Sequence, residues 1–94
     1  MPAYHRAELS AEITVVPSPD GREPPEAQTE AARRAAAASG LAHEAGPDAT
    51  LLAGGRADVL DSLRTVIDAS LDAGAHAVEV KVEAQGDARR FEPA

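Results

Sequence analysis

Residues Ser39 to Gly55 read SGLAHEAGPDATLLAGG. Two short runs, Leu41–Ala45 and Thr50–Ala53, flank Gly46-Pro47-Asp48-Ala49, an interval with turn chemistry, so the stretch predicts a β-hairpin. This hairpin decides the fold, because each side of it carries a helix and then a strand.

Upstream, Glu26 to Ser39 holds seven alanines interspersed with Glu30, Arg33 and Arg34. Pro24 and Pro25 suit the first turn of such a helix, and Gly40 suits its left-handed stop. An alanine face permits close approach to a sheet but contributes little transfer energy. Downstream, Arg56 to Ala73 places Val59, Leu60, Leu63, Val66, Ile67 and Leu71 at the spacing of an amphipathic helix, which Gly74 ends.

Outside the helices lie two alternating segments. In Glu8–Val16, ELSAEITVV, Leu9, Ala11, Ile13 and Val15 alternate with Ser10, Glu12, Thr14 and Val16, before Pro17, Pro19 and Asp20-Gly21 break the pattern. In Ala75–Ala84, Val78, Val80 and Val82 alternate with Glu79, Lys81 and Glu83. The order is strand, helix, strand, strand, helix, strand. With right-handed crossovers this predicts an α+β, ferredoxin-like βαββαβ sandwich, a four-stranded antiparallel sheet with both helices on one face. The other face is left bare, and Glu12, Thr14, Val16, Glu79, Lys81 and Glu83 point to it.

At 94 residues, the chain has the length of one domain spanning 1–94, with a core at about 8–84 between an N-terminal arm and a C-terminal tail. Tyr4 in the arm and Phe91 in the tail are its only aromatic residues. So thin a core predicts self-association as the source of missing stability. Sixteen acidic residues against nine basic ones give a net charge of −7, which disfavours nucleic acid and favours cationic partners. No apolar run approaches the ~20 residues a membrane span needs. Met-Pro-Ala-Tyr-His-Arg lacks the apolar region of a signal peptide, and the chain has no cysteine, so a cytoplasmic protein without a membrane partner is expected.

Several segments in order resemble the small thiamine-binding proteins of ferredoxin-like fold. They are Ala11-Glu12-Ile13-Thr14-Val15-Val16-Pro17, then Ser39-Gly40-Leu41, then Gly46-Pro47 with Thr50, and Asp72-Ala73-Gly74-Ala75 before the last strand. The likeness spans about residues 8 to 84. It implies a non-catalytic binder of thiamine or a hydroxymethylpyrimidine compound, and homodimers that pair into homotetramers through their sheets. Two departures fall at the hairpin: Asp48 and Ala49 stand where the family has Met and Gly, and His43 where many relatives have tyrosine. They leave the ligand open between thiamine and a related compound.

Four residues are candidates for the ligand site: Glu12, Ser18, His43 and Thr50. A carboxylate at Glu12 costs little while wet and gains strength against a cation, such as a thiazolium, once a second subunit excludes water. Its ordinary alternative is an exposed strand glutamate paired with Lys81. His43 can stack on a pyrimidine and hydrogen-bond near neutral pH, or simply bond a carbonyl within its strand. Ser18 and Thr50 can hydrogen-bond an aminopyrimidine, although both suit ordinary turn chemistry. This topology is expected to gather Ser18, Asp48, Thr50 and His76 at one end of the sheet.

Gly54-Gly55-Arg56 before a helix has the look of an anion site without the spacing of a nucleotide loop. The Asp48 and Ala49 departures favour an alternative function, an oligomeric regulatory or interaction module that binds an anion or a partner protein, and an anion at Gly54 to Arg56 would mark it. No cysteine nucleophile, nucleophile elbow or local metal-ligand motif is present, so neither catalysis nor a metal cofactor is expected.

Overall fold

The computed structural model describes residues 7–46 and 49–85. Pro47, Asp48, Tyr4 and Phe91 lie outside the described residues. The elements run β1 (Leu9–Val16), α1 (Pro25–Ala38), β2 (Ala42–Ala45), β3 (Thr50–Gly54), α2 (Arg56–Asp72) and β4 (Ala77–Ala84). The four strands form one antiparallel sheet in the order β2-β3-β1-β4. This is the βαββαβ ferredoxin-like arrangement that the hairpin between two helices predicts.

Register follows from the period-two pattern, because a one-residue slip would turn buried side chains to the other face. Ala11 faces Leu52 on one side and Val82 on the other, and Ile13 faces Thr50 and Val80. These residues form the row turned to the helices. Val59, Leu63 and Val66 from α2 and Ala32 and Ala36 from α1 close over Ala11, Ile13 and Leu52. α1 also buries Gln28 on the same line of spacing, four residues before Ala32.

The turn after α2 sets where β4 begins. Ala73, Gly74 and Ala75 donate backbone N–H groups to Ala69, Leu71 and Ser70, and only then does His76 N–H reach Val16 O at 2.9 Å. The strand therefore starts at Ala77, two residues later than the alternation of the sequence suggests. Gly74 has φ +107°, and a Cβ there would lie 2.4 Å from the Arg22 nitrogen, so both its conformation and its space require glycine. Among the described residues, no helix is long and apolar enough to cross a membrane.

Candidate functional site

The face of the sheet away from the helices is built by the alternate residues. One rung crosses all four strands as Glu44, Leu51, Glu12 and Lys81, and the next as Ala42, Ala53, Ser10 and Glu83. Strands lie about 4.8 Å apart, which places Glu12 and Glu44 two strands, or about 10 Å, from each other with Leu51 between them. Leu51 is 41% exposed. A shallow cleft of 460 Å³ opens here, lined by Ser10, Ala42, His43, Glu44, Leu51, Leu52, Ala53 and Glu83; Glu12 is not part of its lining.

Charge on this face is predominantly negative. Glu12, Glu44, Glu79 and Glu83 are exposed, against Lys81 as the cation in the same rows. Lys81 Nζ lies 3.8 Å from Glu83 Oε2, and no ion pair joins it to Glu12 among the described residues. A flat apolar spot between two carboxylates is complementary to a flat organic cation, which loses little by resting its ring on Leu51 and gains from both charges.

Of the four candidate residues, Glu12 stands on this face by its register, and His43, on the edge strand β2, lines the cleft. Thr50 sits in the opposite row, 4% exposed and facing the helices. His43 pairs with Leu52, which is in that same helix-facing row, and its exposed ring Nδ1 lies 3.1 Å from Leu41 O. The imidazole thus takes the carbonyl contact considered for it, but at an exposed edge and not in a partly buried strand.

Ser18 lies past the end of β1. Its N–H donates to Gln28 Oε1 at 2.8 Å, its carbonyl accepts from Gln28 Nε2 at 2.8 Å, and its hydroxyl accepts from Asp20 N–H at 3.2 Å. Gln28 Nε2 also donates to Glu23 O at 2.7 Å. The loop between β1 and α1 is thereby held to α1 by a single buried amide. Ser18 and His76 do share one end of the sheet, through Val16 and its neighbours, while Thr50 turns inward from it.

The start of α2 is occupied by the chain itself. Glu8 Oε1 accepts from Arg56 N–H at 2.7 Å, placing a carboxylate at the positive end of the helix. That contact spends one of the free amides on which an anion at Gly54–Arg56 would depend.

Glu44, Leu51 and Gln28 are the residues that reading the sequence did not single out. The signal for Leu51 was its place beside Leu52: in a strand of period two, one of two adjacent leucines must face away from the core. The signal for Gln28 was its spacing of four from Ala32 and eight from Ala36, a polar residue on the line that faces the sheet.

No protein-family model matches the chain, and no curated protein matches it at a significant level. Solved structures do. A domain of unknown function, DUF77, from Bacillus cereus superposes with a TM-score of 0.67 at 23% identity, covering 88% of this chain and 80% of its own. A "putative thiamine biosynthesis/salvage protein" from Thermotoga maritima gives 0.69 at 18% identity, covering 84% and 85%. A hypothetical protein from Methanocaldococcus jannascii gives 0.62 at 17%, covering 82% and 77%. At these identities the likeness is one of fold.

Proposed function

We propose that this chain is a non-catalytic binding protein for a small organic cation, with thiamine or a related hydroxymethylpyrimidine compound as the ligand class. The observation that carries the reading is the row Glu44, Leu51, Glu12 on the bare face of the sheet. In this reading a thiazolium-type ring rests on Leu51 between the two carboxylates. A second copy, brought face to face, supplies the other wall. Two such faces alone would oppose carboxylate to carboxylate, whereas a cation between them turns the repulsion into attraction, most strongly once water is excluded. Thiamine is the first compound to test because a protein of the same fold carries its biosynthesis or salvage in its name.

Isothermal titration with thiamine and with hydroxymethylpyrimidine tests the reading, beside the Glu12→Gln variant. Thiamine is expected to bind and to raise the melting temperature, since ligand at ~100 times its dissociation constant adds ~2.7 kcal/mol. Glu12→Gln is expected to weaken thiamine more than the uncharged pyrimidine while leaving the unliganded melting temperature within a degree or two. Absence of heat and of any thermal shift at millimolar thiamine removes the proposal.

A further inference from the structure

We propose that Asp20–Gly21 is a covalent modification site, at which the main chain isomerises to isoaspartate through a cyclic imide, and that the corner held by Gln28 gates the reaction. It is the one Asp-Gly step in the chain, and Asp20 is exposed. Glycine puts no side chain in the way of an attack by its own amide nitrogen. The chemistry needs no enzyme and no co-reactant but water. Gly21 N bonds to Cγ of the Asp20 carboxylic acid, and the amide proton and the carboxyl hydroxyl leave together as one water. Water then opens the imide at one of its two carbonyls. Opening at Cγ breaks the new bond and restores aspartate. Opening at the former α-carbonyl breaks the original peptide bond and leaves the main chain running through Cβ and Cγ, with the α-carboxylate as a side group. One water is lost and one is taken up, and nothing is oxidised or reduced.

The folded corner holds the nucleophile back. Ser18, Pro19, Asp20 and Gly21 form a tight turn, in which Gly21 N–H donates to Ser18 O at 3.2 Å. Ser18 O accepts a second hydrogen bond, from Gln28 Nε2 at 2.8 Å, and Ser18 N–H donates to Gln28 Oε1 at 2.8 Å. Asp20 N–H donates to the Ser18 hydroxyl at 3.2 Å. The carbonyl that restrains the attacking nitrogen is thus itself fixed by a fully buried side chain. While the turn bond is made, Gly21 N cannot swing onto Asp20 Cγ, and the reaction proceeds through openings of the corner.

The product cannot return to the same corner. Gly21 is packed without slack: a Cβ there would run into Gln28 Nε2 and the Gly74 carbonyl oxygen. Beyond it, Glu23 N–H donates to Ala73 O at 2.9 Å and ties the loop to the turn after α2. Isomerisation adds one carbon to the main chain between these fixed points and moves a carboxylate beside it. The Ser18–Gly21 turn and the Gly21–Gly74 contact cannot both survive that insertion. A chain whose corner has opened and reacted is thereby marked, and it stays open. This gate depends neither on a ligand nor on the acidic face of the sheet.

Incubation of the full chain at neutral pH and physiological temperature, followed by trypsin and mass spectrometry, reads the site directly. Cleavage after Arg6 and Arg22 gives a peptide of residues 7–22 in which Asp20 is the only aspartate. Fragmentation distinguishes isoaspartate from aspartate there, and methyl transfer by an isoaspartyl methyltransferase counts it independently. Isoaspartate at position 20 is expected to form at least about tenfold more slowly in the folded chain than in the free 7–22 peptide, because only the open fraction reacts. Q28A is expected to bring the full chain most of the way to the peptide rate. L52A, which weakens the core but leaves the corner intact, is expected to stay near the parent. D20E, whose longer side chain does not readily close the five-membered ring, is expected to stay unmodified.

D20N reads the same gate without disturbing Gln28. It closes the same imide with loss of ammonia, so a gain in mass reports the reaction in intact chains, and the gap between folded chain and peptide is expected again. The isomerised parent chain, separated by chromatography, is expected to melt several degrees lower and to exchange the Ser18 amide faster. A parent chain that isomerises at the peptide rate overturns the proposal. So does a folded Q28A no faster than L52A, a D20N with no gap between folded chain and peptide, or an isomerised chain that melts with the parent.

Discussion

Replacing Gln28 by alanine is expected to cost about as much stability as truncating one of the buried aliphatic side chains of this small core, Ile13 or Leu52. The side chain is fully buried and makes three hydrogen bonds, two to Ser18 backbone and one to Glu23 O. Its loss leaves Ser18 N–H and Glu23 O without the partner they have now, each costing about 1–3 kcal/mol when no substitute is found, while Ser18 O still accepts from Gly21 N–H at 3.2 Å. Water entering the vacated space lowers the total, because the loop is only part-buried. A net loss of about 3 kcal/mol follows, or roughly 12–24 °C in the melting temperature of a domain this size.

Gln28→Glu retains the shape and the acceptor for Ser18 N–H but turns a carboxylate toward two carbonyl oxygens, so it is expected to rescue little. Urea unfolding with a constant m-value, joined to amide exchange at Ser18, measures both effects. Exchange at Ser18 is expected to quicken in Gln28→Ala even under fully native conditions. A stability loss below about 1 kcal/mol, or unchanged protection at Ser18, would refute the claim that one amide holds this loop.

Gly74→Ala is expected to destabilise by more than Gly40→Ala, and thermal melts of the two compare them directly. Both glycines have positive φ, but a Cβ at Gly40 meets nothing within 4 Å, while at Gly74 it meets the Arg22 nitrogen at 2.4 Å. The Gly40 change should therefore cost only the conformational penalty of about 1–2 kcal/mol. Glu8→Ala removes the acceptor for Arg56 N–H and is expected to cost about 0.5–1 kcal/mol, with Glu8→Gln closer to the parent; salt-dependent melts separate the charge from the hydrogen bond.

The architecture was legible because each segment carried a pattern of a single period. Alternation in ELSAEITVV and AVEVKVEA, helical spacing from Val59 to Leu71, and Gly-Pro-Asp between two runs leave little choice of order. The candidate site was legible only in part. Glu12 could be placed on the bare face from parity within its own strand. Thr50 and His43 could not, because the face to which a short hairpin strand turns is set by its register against β1, which neither local spacing nor turn chemistry records. Gln28 was hidden for a different reason. A glutamine in an exposed helix and one that satisfies a loop backbone look the same until the loop is seen to fold against it.

The thin core ties assembly to stability. Beside Ile13, Leu52, Val59 and Val66, the larger fully buried side chains include Gln28 and Ser70, whose burial is balanced by hydrogen bonds and not by transfer from water. Leu60, Leu71 and Val82 meanwhile remain 46%, 50% and 42% exposed. Covering what is left of each is worth about 1 kcal/mol, and a two-fold contact covers three from each copy. That sum of about 6 kcal/mol falls within the range of about 4–15 kcal/mol that association costs in lost freedom. Covering these side chains alone thus cannot hold two copies tightly, and any association must draw the remainder from further contacts. Binding of folded chains to one another then raises the melting temperature with concentration. A hundredfold dilution is expected to lower the melting temperature of the parent chain by several degrees. Equal melting temperatures at both concentrations for the parent chain would show that this small core stands without help.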